Sequence, residues 1–362
     1  MSDQEQQGLT GDKEKRSALP VDPSSSRPSS SSPLPSPRSS PTPDKQGPLI
    51  QPIYPLVSTY SLLIFATIWG VLGRLGLEWI GGFAERQVFA VIWAQIVGCI
   101  VIGFVTERKN GVETIFPPMF TMIGTGFCGS MTTWSTMAHD TFTNFANLDQ
   151  PSGTSRFAGF LSGVAVTMIT MMASTTALRF GVHLHDLLPQ FSHYFHSRPF
   201  QPFSRLINVF SILLGPLFFL GALFLLIFGP SSYRSRATFA IVLGPFGTIL
   251  RYTLSQHFNS ISPRFPLGTF SANVLATLCI AIVSLLARHP NSSLSCAALK
   301  GLEDGFCGSL STISTFVVEL RKLGRGDSWR YFGATWLASE AFMVVVLGSW
   351  VWSGTRESVC WA

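Results

Sequence analysis

The chain has 362 residues, of which 46% are hydrophobic and only 12% are charged, and its formal net charge is +6. Soluble globular proteins carry about 25% charged residues, so this deficit excludes an ordinary soluble domain and indicates a body embedded in lipid. The positive charge does not indicate a nucleic-acid partner, because the Lys and Arg residues are scattered through short connectors and form no basic stripe.

Residues 1–50 form a polar tail that contains the run PSSSRPSSSSPLPSPRSSPTP. A segment so rich in Ser and Pro cannot bury enough apolar area to offset the entropy lost on ordering, so we predict that the tail is disordered. The tail lacks the basic start, apolar core and cleavage site of a secretory signal, and the first membrane helix is therefore expected to act as the targeting signal.

Apolar stretches of about 20 residues, the length that a helix needs to cross the hydrocarbon core, recur from residue 55 onward. Nine are predicted, near 55–77, 87–106, 119–143, 157–182, 206–229, 236–256, 267–288, 296–320 and 331–353. An odd number places the two termini on opposite sides of the membrane. Lys and Arg are in excess in the connectors on the amino-terminal side, which predicts a cytoplasmic amino terminus.

The cysteines show no spacing typical of a disulfide framework or a zinc site. Four lie inside apolar segments, and Cys296 and Cys360 lie near segment ends. We therefore predict that they are small packing residues.

The motif GFCGSMTTWSTM at 126–137 returns as GFCGSLSTISTF at 305–316, with eight of twelve positions identical and an offset of 179 residues. Two further pairs of motifs keep nearly this offset. Gly70 and Arg74 correspond to Gly247 and Arg251, and Gln95 corresponds to Asn273. Agreement among three helices predicts that a four-helix unit is used twice.

The repeat predicts an all-α polytopic membrane protein with a four-helix unit at 51–185 and a second at 236–355. Residues 186–235 contain a loop and an apolar linker helix that matches neither unit. Since four helices return the chain to its starting side and a fifth leaves it on the other, the second unit is expected to be inverted. Inverted repeats are a device of transport proteins, which place their functional site at the repeat interface near the bilayer midplane.

The third helix of each unit is expected to be broken, because glycines at 124, 126 and 129, and at 301, 305 and 308, precede runs of Ser and Thr. Non-helical backbone at membrane depth is tolerated only where protein or a water-filled cavity satisfies it, so a break indicates an ion site. Inward carbonyls would suit a small cation, whereas hydroxyls and half-helix amino ends would suit an anion. The alternative is that the small residues only allow close helix packing.

Three polar side chains within apolar segments are further candidates. Arg74 and Arg251 are functional candidates because a charge in the membrane is unfavourable, although snorkelling or the capping of carbonyls would also explain them. Asn273 could donate its amide hydrogens to an anion or merely tie two helices together.

With these motifs, residues 55–353 resemble the Fluc/CrcB/FEX fluoride channel family, specifically its fused two-domain eukaryotic branch. The resemblance depends on GVLGR at 70–74 and GTILRY at 247–252, on PLGTFSAN at 266–273, on the two broken-helix motifs and on the four-plus-one-plus-four arrangement. It implies passive, fluoride-selective export across the plasma membrane by a chain that is sufficient as a monomer. It also implies a structural Na⁺ ion on the symmetry axis, held by backbone near Gly126, Gly129, Thr132, Gly305, Gly308 and Ser311.

The family's pore phenylalanines correspond here to Trp134 and Met137 in the first unit and to Ile313 and Phe316 in the second. The family's pore asparagine is present only as Asn273, and the corresponding position of the first unit is Gln95. If each pathway takes one ring from each unit, as in the family, Trp134 and Phe316 face one pathway and Met137 and Ile313 the other. We therefore predict one working and one vestigial pore. Further pore candidates by resemblance are Ser339, Thr133, Ser311 and Thr312.

Two other functional classes stay open. A proton- or cation-coupled small-anion transporter would use an ionisable group in the core, for which Glu319 and Glu340 are candidates. A scaffold protein would use its glycines for packing alone. The sequence carries no Walker, GxSxG or HExxH motif that would indicate an enzyme.

Overall fold

The computed structural model describes residues 53–82, 89–148, 153–187, 204–230, 235–289, 292–354 and 359–360. These residues belong to one compact unit, and they form helices without any strand. The tail predicted to be disordered, 1–50, lies outside the described residues.

The first half of the described chain contains seven α-helices and one π-helical segment. In order they are α1 (Ile53–Gly82), α2 (Val91–Glu107), α3 (Lys109–Ile115), α4 (Pro117–Thr121), the π-helical Met122–Cys128, α5 (Gly129–Met131), α6 (Trp134–Phe145) and α7 (Arg156–Leu187). We call residues 117–145 the first broken helix.

The linker helix α8 (Ser204–Phe228) follows, and the second half repeats the pattern. Its elements are α9 (Arg236–Phe258), α10 (Leu267–Leu286), α11 (Ser293–Leu302), the π-helical Glu303–Cys307, α12 (Gly308–Leu310), α13 (Ser314–Lys322), α14 (Arg325–Met343), the π-helical Val344–Gly348 and α15 (Ser349–Trp352). We call residues 293–322 the second broken helix.

Six helices are long and apolar enough to cross a membrane: Leu56–Gly82, Arg156–Leu187, Ile207–Phe228, Arg236–Phe258, Leu267–Leu286 and Arg325–Trp352. Val91–Glu107 is a shorter apolar helix. These helices support a multi-pass membrane protein. The stretches predicted at 119–143 and 296–320 are each divided into short helical pieces, the two broken helices.

The linker helix α8 is fixed to α1 by a polar contact at a proline. Because Pro216 has no N–H, the carbonyl of Ile212 loses its helical donor. The hydroxyl of Ser61 donates to this carbonyl at 2.9 Å and accepts from the N–H of Gly215 at 3.0 Å. The opposite face of α8 exposes large apolar side chains such as Phe210 and Phe224, as a helix bordering lipid would.

Glycines allow α1 and α9 to pack closely against the backbones of the two broken helices. A Cβ atom on Gly70 of α1 would lie 2.6 Å from the carbonyl oxygen of Phe127 in the first broken helix. At the equivalent Gly247 of α9, a Cβ would contact the carbonyl oxygen of Phe306 and lie 2.9 Å from the nitrogen of Leu310. Glycine at these two positions is therefore required for close contact between each helix and a broken helix.

The prediction that all cysteines are packing residues is wrong for two of them. Cys296, in α11, and Cys360 form a disulfide bond, and the N–H of Cys360 donates to the carbonyl of Ala287. The bond links Cys360 to the first turn of α11. Cys99, Cys128, Cys279 and Cys307 are free.

Candidate functional site

The interruptions in the two broken helices lie at hydroxyl residues rather than at glycines. Thr132 and Thr133 have extended torsions (φ −99°, ψ 143° and φ −139°, ψ 127°), and so does Ser311 (φ −87°, ψ 162°). The predicted glycines precede the interruption, and Gly124, Gly126 and Gly305 lie in the π-helical segments before it. Gly129 and Gly308 are helical, and each packs against a guanidinium group from the opposite unit.

Each interruption is bridged by a primary amide from a neighbouring helix. Asn273 of α10 accepts from the N–H of Thr312 at 2.8 Å and donates to the carbonyl of Thr312 at 3.3 Å. Gln95 of α2 makes the same pair of bonds with Thr133, at 3.3 and 2.7 Å. Both amides therefore satisfy backbone groups that a continuous helix would have paired. Each Nδ or Nε group keeps a second hydrogen.

The two interruptions also exchange hydroxyl groups across their interface. Ser311 Oγ accepts from the N–H of Trp134 at 3.1 Å and of Ser135 at 3.0 Å. In return, Thr132 Oγ1 accepts from the N–H of Ser314 at 3.0 Å. Each broken helix thus supplies the acceptor that the other needs.

These side-chain bonds leave a set of backbone carbonyls without their helical donors. In a continuous helix the N–H of Thr133 would pair with the carbonyl of Gly129, and the N–H of Thr312 with that of Gly308. Both N–H groups donate to amide side chains instead. The N–H groups of Thr136 and Thr315 donate to hydroxyls, which releases the carbonyls of Thr132 and Ser311 in the same way.

The released carbonyls fit a small hard cation, which prefers oxygen ligands. Four of the positions predicted near Na⁺ have this property: Gly129, Thr132, Gly308 and Ser311. The other two, Gly126 and Gly305, lie in π-helical segments, where their carbonyls accept from the N–H groups of Gly129 and Gly308. Gly126 and Gly305 instead pack closely on Ala66 and Ala240.

The two predicted arginines are fully inside the protein, with exposures of 1% for Arg74 and 2% for Arg251. Snorkelling to the membrane surface is therefore excluded. Arg74 donates to the carbonyl of Asp304, and Arg251 donates to the carbonyl of Thr125 at 2.7 Å. Each arginine reaches from one unit to the broken helix of the other.

An ionic cluster surrounds the buried Arg74, with its Arg236 side chain 42% exposed, and the sequence analysis missed it. Its other members are Glu78, Arg236, Lys300, Glu303 and Asp304. Arg236 contacts both Asp304 and Glu78, the latter at 2.7 Å. Lys300 lies 2.7 Å from Glu303 and 3.8 Å from Asp304. Because these residues come from three helices far apart in the chain, their grouping carries no local sequence signal.

The predicted residues of one pathway lie together in the structure. The rings of Trp134 and Phe316 have centroids 4.6 Å apart. Trp134 Nε1 donates to Ser339 Oγ at 2.9 Å, and Thr277, one turn after Asn273, is 3.5 Å from the same oxygen. All five side chains are fully buried. Ser339 Oγ accepts from Trp134 Nε1, while the hydroxyl hydrogen of Thr277 donates to the carbonyl of Asn273 at 2.8 Å.

We call Asn273, Thr277, Ser339, Trp134 and Phe316 the polar column. It continues through residues that the sequence analysis missed or did not place. The ring of Tyr331 lies 4.6 Å from that of Phe316, and its hydroxyl donates to Glu319 at 2.8 Å. Thr269 donates to the same carboxylate at 2.7 Å. A signal was present, because Tyr331, Thr335 and Ser339 recur every four residues and form one buried face of α14.

The residues predicted for the other pathway carry no aromatic ring. Met137 and Ile313 are fully buried in a hydrophobic cluster with Cys99, Cys128 and Met171, and the same cluster also holds Trp134 and Phe316. Ser162, a hydroxyl residue of α7, is exposed. Since α7 also carries the buried hydroxyls of Thr170 and Ser174, the two pathways differ in their aromatic rings and not in an absence of polar side chains around Gln95.

Comparison with known proteins gives consistent matches. The family model described as CrcB-like protein, Camphor Resistance (CrcB), matches residues 61–182 and again 238–353. The chain is 32% identical to fluoride export protein 1 of Neurospora crassa over 83% of this chain and 68% of that protein, and 31% identical to fluoride export protein 1 of Candida albicans over 84% and 82%. Its similarity to the fluoride-specific ion channel FluC of Escherichia coli is 34% identity over 32% of this chain and 86% of that protein. No solved structure matches significantly.

Proposed function

Because the chain belongs to the CrcB family, we propose that it is a fluoride-selective passive channel that exports fluoride from the cytoplasm through one working and one vestigial pore. Relatives named fluoride export protein and fluoride-specific ion channel make fluoride the transported ion. The observation that carries the single-pore assignment is that Trp134 and Phe316 pack ring against ring beside Ser339, whereas Met137 and Ile313 bring no aromatic ring to the other pathway.

The working pore follows the column of Asn273, Trp134, Phe316 and Ser339. An aromatic ring presents a positive edge, so Trp134 and Phe316 can contact a small anion without a full positive charge. The second amide hydrogen of Asn273 and the hydroxyl hydrogen of Ser339 replace part of the hydration shell. Weak donors at several sites let an anion enter and leave, as conduction requires.

The second pathway is the vestigial one. Met137 and Ile313 replace the aromatic rings with aliphatic groups that offer no positive edge to an anion. The neighbouring thiol and thioether groups donate hydrogen bonds weakly or not at all. Gln95 bridges the backbone of Thr133 as Asn273 bridges that of Thr312, but its pathway lacks the two aromatic rings.

The architecture that we propose has nine membrane crossings in two inverted four-helix repeats. Reciprocal contacts support it, because Arg74 reaches the second broken helix and Arg251 reaches the first. The glycine contacts are also equivalent, since α1 packs on the first broken helix at Gly70 and α9 packs on the second at Gly247. Because both halves are on one chain, the functional unit is a monomer.

A structural Na⁺ at the pseudo-twofold axis would be held by the carbonyls of Gly129, Thr132, Gly308 and Ser311. When bound, it would supply positive charge between the two pathways. The residues themselves hold the site open, since side chains already satisfy the N–H groups of both interruptions.

We propose a plasma-membrane location with a cytoplasmic amino terminus. The disulfide bond between Cys296 and Cys360 supports this orientation, because such bonds persist in oxidising compartments. Nine crossings from a cytoplasmic start put the connection between α10 and α11 and the carboxyl end outside the cell.

One observation favours the alternative of a proton-coupled transporter. Glu340, in α14, is 8% exposed, and both of its carboxyl oxygens lack a hydrogen-bond partner within the described residues. A buried group of this kind could carry a proton.

The test is fluoride efflux from liposomes that hold the purified protein, with potassium permeability supplied by an ionophore and chloride as the comparison ion. Wild type should release fluoride rapidly with no proton gradient. Asn273→Ala and Phe316→Ile, which makes one pathway resemble the other, should each reduce efflux at least tenfold. Gln95→Ala should keep most of it, with size-exclusion profiles checking that each variant is folded.

The reverse pattern, in which Gln95→Ala abolishes efflux and Asn273→Ala does not, would assign the working pore to the other pathway. Efflux that requires a proton gradient and is lost in Glu340→Gln would favour the coupled transporter. No efflux at all would support a scaffold role.

A further inference from the structure

The turn between the second broken helix and α14 is strongly basic. Residues 321–330, which we call the basic turn, contain four bases and a single acid, so their formal charge is +3. The equivalent stretch of the first unit, residues 144–161, contains one acid, Asp149, and one base, Arg156, so its formal charge is zero. The two units therefore differ in charge at the connection between their third and fourth helices.

Two of the four bases have a carboxylate partner. Arg321 lies 3.0 Å from Glu107 at the end of α2, and Arg330 lies 3.6 Å from Asp327. The side chains of these two arginines are 47% and 82% exposed. Exposed ion pairs of this kind are weak, so both guanidinium groups remain accessible to another partner.

The other two bases, Lys322 and Arg325, are exposed and make no ion pair within the described part of the chain. Glu319 lies one turn before Lys322, but its carboxylate accepts hydrogen bonds from the buried hydroxyls of Tyr331 and Thr269. Two positive charges of the basic turn are therefore not balanced by a carboxylate of the described residues.

A tryptophan lies among these bases. Trp329 is 74% exposed, and it lies near the start of Arg325–Trp352, one of the helices long and apolar enough to cross a membrane. Tryptophan is enriched where a membrane meets water, because its ring is apolar and its N–H is polar. Trp329 therefore indicates that the basic turn lies at the depth of the lipid headgroups.

We propose that the basic turn binds the headgroup of an anionic phospholipid in the cytoplasmic leaflet, with Lys322 and Arg325 on its negative groups and Trp329 against its upper acyl chain. The inference rests on the orientation proposed above, which places this turn on the cytoplasmic side. That leaflet carries anionic lipids, and a cluster of four bases next to a membrane helix is attracted to them. The uncharged balance of residues 144–161, at the opposite face, fits a leaflet without such lipids.

The proposed lipid site is connected to the working pore by a series of ring contacts. The ring centroids of Trp329 and Phe332 are 6.2 Å apart, and those of Phe332 and Trp134 are 6.3 Å apart. Trp134 in turn contacts Phe316 at 4.6 Å. A lipid that holds Trp329 would thus fix the start of α14, the helix that also carries Ser339. We expect the bound lipid to favour the conducting arrangement of the polar column.

Positive charges in a cytoplasmic connection also orient a chain while it is inserted into the membrane. That role ends once the helices are in place, so it predicts no effect of lipid on the folded protein. The experiment is therefore made on the folded protein.

The primary test is thermal unfolding of the detergent-solubilised full chain with added dioctanoyl phosphatidylserine, dioctanoyl phosphatidylcholine or inorganic phosphate. Phosphatidylserine should raise the Tm of wild type in a saturable way, because a ligand that binds the folded state stabilises it. Phosphatidylcholine and phosphate should not. Each base near a membrane surface contributes roughly fivefold in affinity, so the double variant Lys322→Gln/Arg325→Gln should need at least tenfold more phosphatidylserine. Without lipid it should unfold with wild type, since exposed substitutions change stability little.

Arg156→Gln is the matched control. Arg156 is exposed and is the first residue of α7, as Arg325 is the first residue of α14, but it lies in the uncharged stretch of the first unit. This variant should keep the full response to phosphatidylserine. Trp329→Ala should weaken the response, whereas Trp79→Ala, which removes a tryptophan of α1 that is 70% exposed, should not.

Fluoride efflux tests the connection to the pore. Wild type should release fluoride at least fivefold faster from vesicles of phosphatidylcholine with phosphatidylserine than from phosphatidylcholine alone, a coupling of ordinary size for two linked sites. The double variant should release fluoride equally from both. Its comparison with wild type removes any effect of the vesicle charge on the fluoride concentration at the surface.

A wild-type Tm that does not depend on phosphatidylserine would overturn the inference, as would a double variant with the full wild-type response. Equal rises with phosphatidylserine and inorganic phosphate would also overturn it, because the ligand would then be a free anion. If the double variant does not fold, Lys322→Gln and Trp329→Ala decide in the same way. A Tm response without any efflux refutes the channel and supports the lipid site, whereas efflux without a Tm response refutes the lipid site alone. Efflux that is independent of phosphatidylserine, in a protein whose Tm responds to it, refutes the connection through Phe332.

Discussion

A methyl group added at Gly247 should destabilise the protein, because the atoms that it would contact belong to the backbone and cannot move aside as a side chain can. The Cβ of Gly247→Ala would contact the carbonyl oxygen of Phe306 and lie 2.9 Å from the nitrogen of Leu310. Ordinary contacts of a Cβ lie at 3.4 to 4 Å, and both obstructing atoms belong to the backbone. Relief therefore requires α9 to move away from the second broken helix, and overpacking of this kind typically costs about 1–3 kcal/mol.

Gly76→Ala is the matched control, because it makes the same chemical change in α1 where nothing lies within 4 Å. There the change should stabilise the helix by up to ~1 kcal/mol. Thermal unfolding followed by intrinsic fluorescence should give Gly247→Ala a lower Tm than wild type, by roughly 2–4 °C per kcal/mol. Gly76→Ala should equal or exceed wild type. If the two variants unfold within 1 °C of each other, the close approach of α9 does not have the energetic weight assigned to it.

Three further outcomes are expected. Asp304→Asn should lower stability by about 1–3 kcal/mol because it removes a carboxylate that Arg236 and Lys300 share, whereas Glu113→Gln, in an exposed pair with Lys109, should change it by less than about 1 kcal/mol; equal effects in denaturant titrations would contradict the cluster's role. Reduction of the disulfide bond should lower stability by ~2–4 kcal/mol and make Cys360 reactive to an impermeant maleimide added outside intact cells, and labelling only after permeabilisation would reverse the proposed orientation. Trp134→Phe should cost about 1 kcal/mol, the net value of one hydrogen bond, while fluoride efflux continues; abolished efflux in a folded Trp134→Phe protein would mean that the indole N–H itself is required.

Repetition made much of the core predictable. Because the offset between the halves is nearly constant, the sequence paired Arg74 with Arg251 and Gln95 with Asn273. In the structure, each arginine donates to a carbonyl in the broken helix of the other unit, and each amide bridges the broken helix of its own unit. The hydroxyl residues were predicted near the break for the same reason. The role of the glycines was harder to predict, since a pattern of small residues predicts helix breaking and close packing equally well.

The features that the repeat does not carry were the ones missed. The ionic cluster joins positions 78, 236 and 300–304, which meet only after folding, and it has no copy in the other half. Cys296 and Cys360 are 64 residues apart, and nothing in that spacing distinguishes a disulfide bond from two separate packing residues. The stripe of Tyr331, Thr335 and Ser339 is the exception, because its helical period was visible in the sequence.

The exchange of hydroxyl groups between the two interruptions has a consequence for biosynthesis. During translation the first broken helix leaves the ribosome well before Ser311 exists, so the N–H groups of Trp134 and Ser135 have no acceptor from the second unit. The first unit therefore cannot complete its own midplane turn while it waits in the membrane. Its final shape is set only when the second unit has followed the linker helix and packed against it, and a chain truncated before that point would carry an unfinished break.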